Sequence, residues 1–448
     1  MTNFDDAEML GAPLGQSDAA AKRAGTTIAK MMQIIHASET IAGTGLSHHA
    51  KLRMWKPSIG HCRVNYLMRC ARGTQVEKAL VAVEDAVFTA LAHVMGLAGK
   101  GDLTEDDKML LQSSALGVGV RTGRMAKNAA YVASYSAAVG QVKDSALTPL
   151  PPLDVNSAEV KQLLEDMDKK VLPGDVSQGH LTDLVLANKL APFLDLKNGE
   201  RIVAKRRALT KGGGIQRAFA APGGKLSDEQ VTAIIRIAMD LPVCVDKING
   251  DAPGVDRRCP SCNHPWDEKG DHALRCTGKG STNHGRHDAM RDELHQLCRL
   301  ANFTTKKEPM PFPESKLRLD LALANSKTDC QVQLLDVAVT DPLQNKYLIK
   351  AASVDCHAAN QYAHDVKWRK YGKEVKEIGA HFAPVIFEVY GAVGKEGERV
   401  INSIIAGVAE EGERARTAFY VRSRLSYVLW LNNAKAALNG NIDGRNLV

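Results

Sequence analysis

The chain has 448 residues, 44% of them hydrophobic, with a formal net charge of +7. That length exceeds one compact core and predicts roughly two to four domains. The acidic start Met1-Thr-Asn-Phe-Asp-Asp6 has no apolar stretch behind it and no apolar run spans a bilayer, so an intracellular protein without a secretory signal or membrane partner is expected.

In chain order, 1–146 reads as a helical region. Ser17-Asp18 can cap a helix reaching about Glu39, and a second apolar-periodic stretch runs from Val76 to Leu97. Between them Lys51–Cys70 mixes basic and apolar residues, and Thr104–Asp107 reads as a helix-start loop. The proline-rich stretch Leu147–Asp154 sets the first domain boundary. Helical segments follow at about 157–171, 178–194 and 227–239, within a helical and basic linker over 147–258. The linker holds Arg201, Lys205, Arg206, Arg207, Lys211, Arg217 and Lys225 with no acid among them. Gly212-Gly213-Gly214 and Pro222-Gly223-Gly224 predict that this stretch is flexible. Charge alone leaves two readings, a solvated loop or a contact to nucleic-acid phosphates through Arg206 and Arg207.

Cys62, Cys70, Cys244, Cys298, Cys330 and Cys356 are dispersed and read as free thiols of a reducing compartment. The other three cysteines cluster as Cys259-x2-Cys262-x9-His272-x3-Cys276. Two thiolates two residues apart can grip one ion from a tight turn, and a histidine and a third cysteine complete a tetrahedral set. Four ligands with no open position predict structural Zn²⁺ in a knuckle over 259–284. His284 lies outside this spacing and is a weaker candidate.

From 285 to 400 the pattern is α/β: a helix at about 285–302, strand-like runs at Leu317–Ala324 and Gln331–Thr340, a long helix over about 343–376, and a strand at Pro384–Tyr390. Two helices follow in 401–448. In the first run Leu317, Leu319, Leu321 and Leu323 share one face and Arg318, Asp320 and Ala322 the other; in the second, Asp336 and Ala338 oppose Leu335, Val337 and Val339. A hairpin turning at Thr328 pairs 320 with 336, with Cβ atoms about 4.5–5.5 Å apart. Two carboxylates so placed repel unless a cation binds between them, and hard oxygen ligands suit Mg²⁺. Ala338 stands where a D-x-K motif would carry lysine; its small side chain leaves room for Lys367 or Lys370, which share a face of the next helix. Glu308 could be a third acid. The competing reading has Asp320 and Asp336 as exposed strand residues paired with Arg318 or nearby lysines. Arg286-His287-Asp288, at the start of the first helix of this region, reads from charge alone as a polar face.

Taken in order, Gly270-Asp-His-Ala-Leu-Arg-Cys276, Arg286-His-Asp-x2-Arg-Asp-Glu-Leu294, Arg318-x-Asp320, Leu335-Asp-Val-x-Val-x-Asp-Pro342 and Lys367-x2-Lys370-Tyr371 resemble the C-terminal region of non-long-terminal-repeat retrotransposon reverse transcriptases that carry a restriction-like endonuclease. Upstream, Leu10-Gly-Ala-Pro-Leu-Gly15, Arg63-Val-Asn-Tyr-Leu-Met-Arg69 and Leu116-Gly-Val-Gly-Val-Arg121 resemble the segment after the polymerase palm, the thumb and the linker, and Leu226–Pro242 the approach to the knuckle, so the resemblance covers residues 10–430. It implies a multidomain protein: an α-helical thumb-like N-terminal half, a zinc knuckle, and an α/β nuclease of the PD-(D/E)xK fold with its lysine displaced. The implied activity is Mg²⁺-dependent nicking of target DNA, whose freed 3′ end a polymerase extends. Asp320, Asp336, Glu308 and Lys367 or Lys370 would be catalytic, with Arg286, His287 and Tyr371 meeting DNA; element RNA is a second partner and the nucleus the expected compartment. The palm would lie before residue 10, so no DNA synthesis is expected. Leu319 stands where relatives often carry Pro or Ala, and Asp288 where Asn is commoner. The alternative is a nucleic-acid-binding fragment that no longer cuts.

Overall fold

Apolar runs at 332–340 and 381–388 build the only sheet of more than two strands among the described residues; helices supply most of the rest. The computed structural model describes residues 8–9, 12–13, 17–40, 46–58, 68, 73–143, 153–243, 258–259, 261–278, 281–312, 317–325, 332–410 and 412–439. The chain divides into two compact units, Met1–Ser113 with Gly119–Phe193, and Ser114–Val118 with Leu194–Val448. No helix among the described residues is long and apolar enough to cross a membrane.

The first unit holds a small antiparallel pair, β1 (Glu8–Met9) and β2 (Ala12–Pro13), followed by α1 (Ser17–Thr40), α2 (His48–Ser58), α3 (Gly73–Val94), α4 (Glu105–Gln112), α5 (Gly123–Lys143), α6 (Ala158–Asp166) and α7 (Gln178–Leu190). Thr104 starts α4 through a capping box: its Oγ1 accepts from the Asp107 N–H at 3.1 Å, and Asp107 accepts from the Thr104 N–H at 2.9 Å. The proline-rich stretch does not end the unit. Beyond it Val160, Leu163, Leu181 and Val185 bury against Ala129 and Val132 of α5, so the unit continues to Phe193. Residues 147–152 of that stretch, and Cys62, Cys70, Cys244 and Cys330, lie outside the described residues.

The second unit contains α8 (Glu200–Gly212), α9 (Gln216–Phe219), α10 (Asp228–Ala238), α11 (Asp271–Arg275) and α12 (Asn283–Leu300) before its sheet. The strands are β3 (Phe303–Lys307), β4 (Leu321–Asn325), β5 (Val332–Thr340) and β6 (His381–Glu388), in spatial order β3-β4-β5-β6. The first three are antiparallel and β5 and β6 parallel. The crossover between β5 and β6 carries α13 (Asn345–Ala351), α14 (His357–Tyr362), a π-helical turn (Ala363–Trp368) and α15 (Arg369–Glu377). Two helices, α16 (Lys395–Val408) and α17 (Arg414–Asn439), close the unit. Leu335, Val337, Val385 and Phe387 bury one sheet face with residues of α12, α16 and α17, while Leu334 and Phe382 bury the other with Tyr371 and Val375 of α15. A sheet covered on both faces explains why β5 and β6 read as near-continuous hydrophobic runs. Pro384 lacks an N–H and sits on β6, where only one strand neighbours it.

Three sequence expectations change. Most of the basic stretch after residue 200 is helical: it forms α8 and α9, and Gly213 ends α8 in the left-handed region at φ +79°. The helix expected over 343–376 is broken, with Cys356 at φ +55° turning the chain before α14. β3 was not anticipated, because Phe303-Thr-Thr-Lys-Lys307 lacks apolar alternation; it pairs with β4 by backbone hydrogen bonds that its side chains do not announce.

Candidate functional site

Asp320 and Asp336 meet as the hairpin register predicts. The last ladder pair is Leu321 opposite Leu335, and one further step brings 320 to 336. The ladder does not continue normally there. Asp320 donates its N–H to the Leu335 carbonyl at 3.1 Å, and its side-chain Oδ2 accepts the Val337 N–H at 2.6 Å. The bend changes the faces too. Leu319 does not share the face of Leu321 and Leu323; it packs with Phe312, Leu334 and Tyr371 on the other side of the sheet.

The two acids differ electrically. Burial acts against the Asp320 charge, but His287, the Val337 N–H and the Lys367 ammonium outweigh it and hold the carboxyl below its ordinary range. Burial pushes the Asp336 carboxyl up, Lys367 partly offsets this, and the neighbouring Asp320 charge adds to the rise. Asp336 is 4% exposed, so its charge is screened little by water.

Of the two candidate lysines, Lys367 reaches the acids. It forms an ion pair with Asp336 and lies 5.7 Å from the centre of the Tyr362 ring. Lys370 is exposed, with its ammonium 4.6 Å from the centre of the Tyr371 ring. Lys367 lies in the π-helical turn, where bonding to the fifth residue widens the helix beside the sheet. His287 Nε2 sits 3.3 Å from Asp320 Oδ2 and 3.1 Å from the Val337 carbonyl, so this nitrogen carries the proton. Nδ1 lies 3.3 Å from Asp288, and the hydrogen bond to Asp320 leads the causes that raise the His287 pKa.

The other predicted residues are placed differently. The Glu308 N–H donates to the Asp320 carbonyl at 2.9 Å, but its carboxylate pairs with Arg291 at 2.9 Å and Arg318 at 3.0 Å. Arg286 is buried; it donates to Asn433 Oδ1 and to the Leu274 carbonyl, both at 2.8 Å, tying α12 to α17 and α11. Tyr371 is buried too and donates its hydroxyl to the Arg318 carbonyl at 3.1 Å, bracing the segment that leads into Asp320. Arg207 donates to the Ala352 carbonyl at 2.8 Å and pairs with Asp355 at 3.2 Å; Arg206, its neighbour on α8, is partnered as well.

Cys259, Cys262, His272 and Cys276 come together as a cluster able to hold a zinc ion, and among the described residues they alone form a metal-competent group of three or more such side chains. Cys259 and Cys276 Sγ are 3.5 Å apart, and Cys262 Sγ is 3.2 Å from His272 Nε2. Tetrahedral Zn–S bonds of ~2.3 Å would separate two sulfurs by roughly 3.8 Å, so the set is close to ligation geometry. Local folding builds it. Asn263 takes a left-handed φ of +58° in a turn closed by its N–H to the Cys259 carbonyl at 2.8 Å. Asp267 accepts the Asp271 and His272 N–H groups at 2.9 and 2.5 Å and so starts α11, which carries His272. His284 is not part of the cluster.

Sequence reasoning missed a buried ionic group behind the knuckle. Lys205, 1% exposed, pairs with Asp240 at 2.9 Å, and Arg201 pairs with both Asp240 and Asp271. The Tyr390 hydroxyl donates to Asp271 at 3.0 Å. Helical spacing puts Arg201 and Lys205 on one face of α8, the only signal that pointed there. No protein-family model matches this chain, and no curated protein matches it in sequence.

Proposed function

We propose that the second unit is a Mg²⁺-dependent endonuclease that nicks DNA, of the restriction-like kind carried by non-long-terminal-repeat retrotransposon proteins, with a structural Zn²⁺ in its knuckle. The observation that carries this reading is the arrangement of three groups: Asp320 and Asp336 side by side at the end of one strand pair, with the Lys367 ammonium on Asp336. A buried carboxylate whose charge is disfavoured by burial and by a second acid is the electrostatic setting that a divalent cation relieves. Asp320 and Asp336 would hold Mg²⁺, which supplies positive charge to the scissile phosphate and orients water. Lys367 would stabilise the charge that grows on the phosphate oxygens. Water adds to phosphorus, the bond to the 3′ oxygen breaks, and a 3′-hydroxyl and a 5′-phosphate result. His287, Tyr371 and Arg286 act in this reading as supports: His287 holds the Asp320 carboxylate, Tyr371 braces its approach, and Arg286 locks α12 in place.

Supercoiled plasmid tests it. Nicked circles are expected with Mg²⁺ or Mn²⁺ and none with EDTA; the same outcome with and without metal rejects the reading. One observation favours a non-cutting nucleic-acid-binding protein instead. Lys367 already neutralises Asp336, and Arg291 and Arg318 already occupy Glu308, so the group is balanced without a cation. Tight plasmid binding without nicking in any divalent metal would select that alternative.

A further inference from the structure

The segment that leaves β3 carries one side chain that the proposed cutting chemistry does not use. Met310 is 71% exposed. Lone apolar residues on a surface are ordinary, but this one is held out by its surroundings. Pro309 before it and Phe312 after it are buried, and Phe312 packs with Leu319, Leu334 and Tyr371. The main chain is pinned as well. The Glu308 N–H donates to the Asp320 carbonyl at 2.9 Å, and the Leu319 N–H donates to the Pro309 carbonyl at 3.1 Å. Glu308 takes a left-handed φ of +50°, a strained conformation for a residue with a side chain. Pro309 and Pro311, on either side of Met310, restrict the backbone further. A long apolar side chain therefore stands in water on a fixed corner, two residues along from the one bonded to Asp320.

The charges around that corner suit a polyanion. Lys306, near the end of β3, and Lys370, beside Tyr371 on α15, are exposed and have no ion-pair partner among the described residues. The one acid next to the corner in sequence, Glu308, is answered by both Arg291 and Arg318. A base step of duplex DNA is an apolar gap bordered by phosphates. One apolar tip with a cation on either flank matches that pattern, and methionine is among the side chains able to part a base step.

We propose that Met310 is a wedge that enters the base stack of duplex DNA beside the bond to be cut, with Lys306 and Lys370 on the flanking phosphates. The proposal rests on the DNA-nicking reading of the second unit. Opening a base step costs stacking and pairing, part of which a mismatch has already lost. A wedge therefore favours a mismatched step, whereas phosphate contacts alone do not distinguish it.

The test uses the full chain without Mg²⁺ or Mn²⁺, so that cutting plays no part. Two duplexes of one sequence are compared by fluorescence anisotropy, one fully paired and one with a single central mismatch, each with 2-aminopurine at the central step to report unstacking. Wild type should bind the mismatched duplex roughly tenfold tighter and raise the 2-aminopurine emission. Met310→Ala should lose the preference and the emission rise, and Met310→Leu should keep both. Replacing Lys306 and Lys370 together with Ala should weaken both duplexes alike and lower the salt slope by about 1.8. Binding without a mismatch preference, or with the same preference and emission in Met310→Ala, overturns the wedge and leaves the nuclease reading standing. Binding to neither duplex overturns the wedge together with the reading beneath it. Tighter binding to the corresponding single strand than to either duplex overturns the wedge as well.

Discussion

Lys367 and Lys370 are one helical turn apart, and sequence spacing gave them equal claims. The fold separates them: one is paired with a buried carboxylate and the other is exposed. Lys367→Ala should cut the nicking rate by roughly 10²-fold or more, whereas Lys370→Ala should cost far less, as measured by single-turnover plasmid relaxation. Equal losses would remove the assignment. The 320–336 pairing was legible because register in a hairpin is arithmetic and its period of two fixes faces. The burial of Arg286 was not, because charged residues in the first turn of a helix look alike whether they face water or a neighbouring helix. A second residue-scale expectation concerns Glu388, buried behind the sheet, whose carboxyl burial pushes from an ordinary 4.5 up to about 7. Between those values the folded chain holds a proton that the unfolded chain has released. This contribution to stability is therefore present in acid and is lost as pH rises through about 7. Glu388→Gln should flatten that loss, and melting temperatures of wild type and variant from pH 5 to 8 would converge on the acid side. A parallel pair of curves would contradict the burial argument.

At the scale of elements, the knuckle was the most legible part, because ligand spacing carries its own geometry. Cys262→Ser or a strong chelator should release one bound zinc per chain and raise amide exchange across residues 258–278, with the β5–β6 core less affected. A folded, reduced protein without zinc would remove the metal from the account. The crossover helices were less legible. The apolar pattern over 343–376 continues through a left-handed Cys356 and a π-helical turn, neither of which changes hydrophobic periodicity. β3 was invisible for a related reason: an edge strand with exposed lysines is recognised by its backbone bonds and not by its side chains.

For the whole molecule, composition pointed to several domains, and two compact units are found, with their division at residue 193 and not at the proline-rich stretch. That stretch misled because prolines break helices without ending cores; α6 and α7 return to pack on α5. The basic run from Arg201 to Lys225 was visible in the sequence, yet its use was not. Arg201, Lys205, Arg207 and Lys211 all answer internal acids, so net charge overstated what the surface offers to nucleic acid. Neutralising Arg206 and Arg207 together should therefore leave the salt slope of DNA binding nearly unchanged, as a counterion-release plot would measure. A drop of about 1.8, the value for two phosphate contacts, would restore that stretch as a contact.

The central claim is that Asp320 and Asp336 act together as one metal-dependent cutting site. The most direct measurement is the rate of plasmid nicking in Mg²⁺ by wild type, Asp320→Ala, Asp336→Ala and the double variant, with DNA affinity determined in parallel. The account predicts nicking by wild type, its loss in each single variant, a double variant no worse than either, and affinity nearly unchanged throughout. Nicking by Asp336→Ala at the wild-type rate would contradict it.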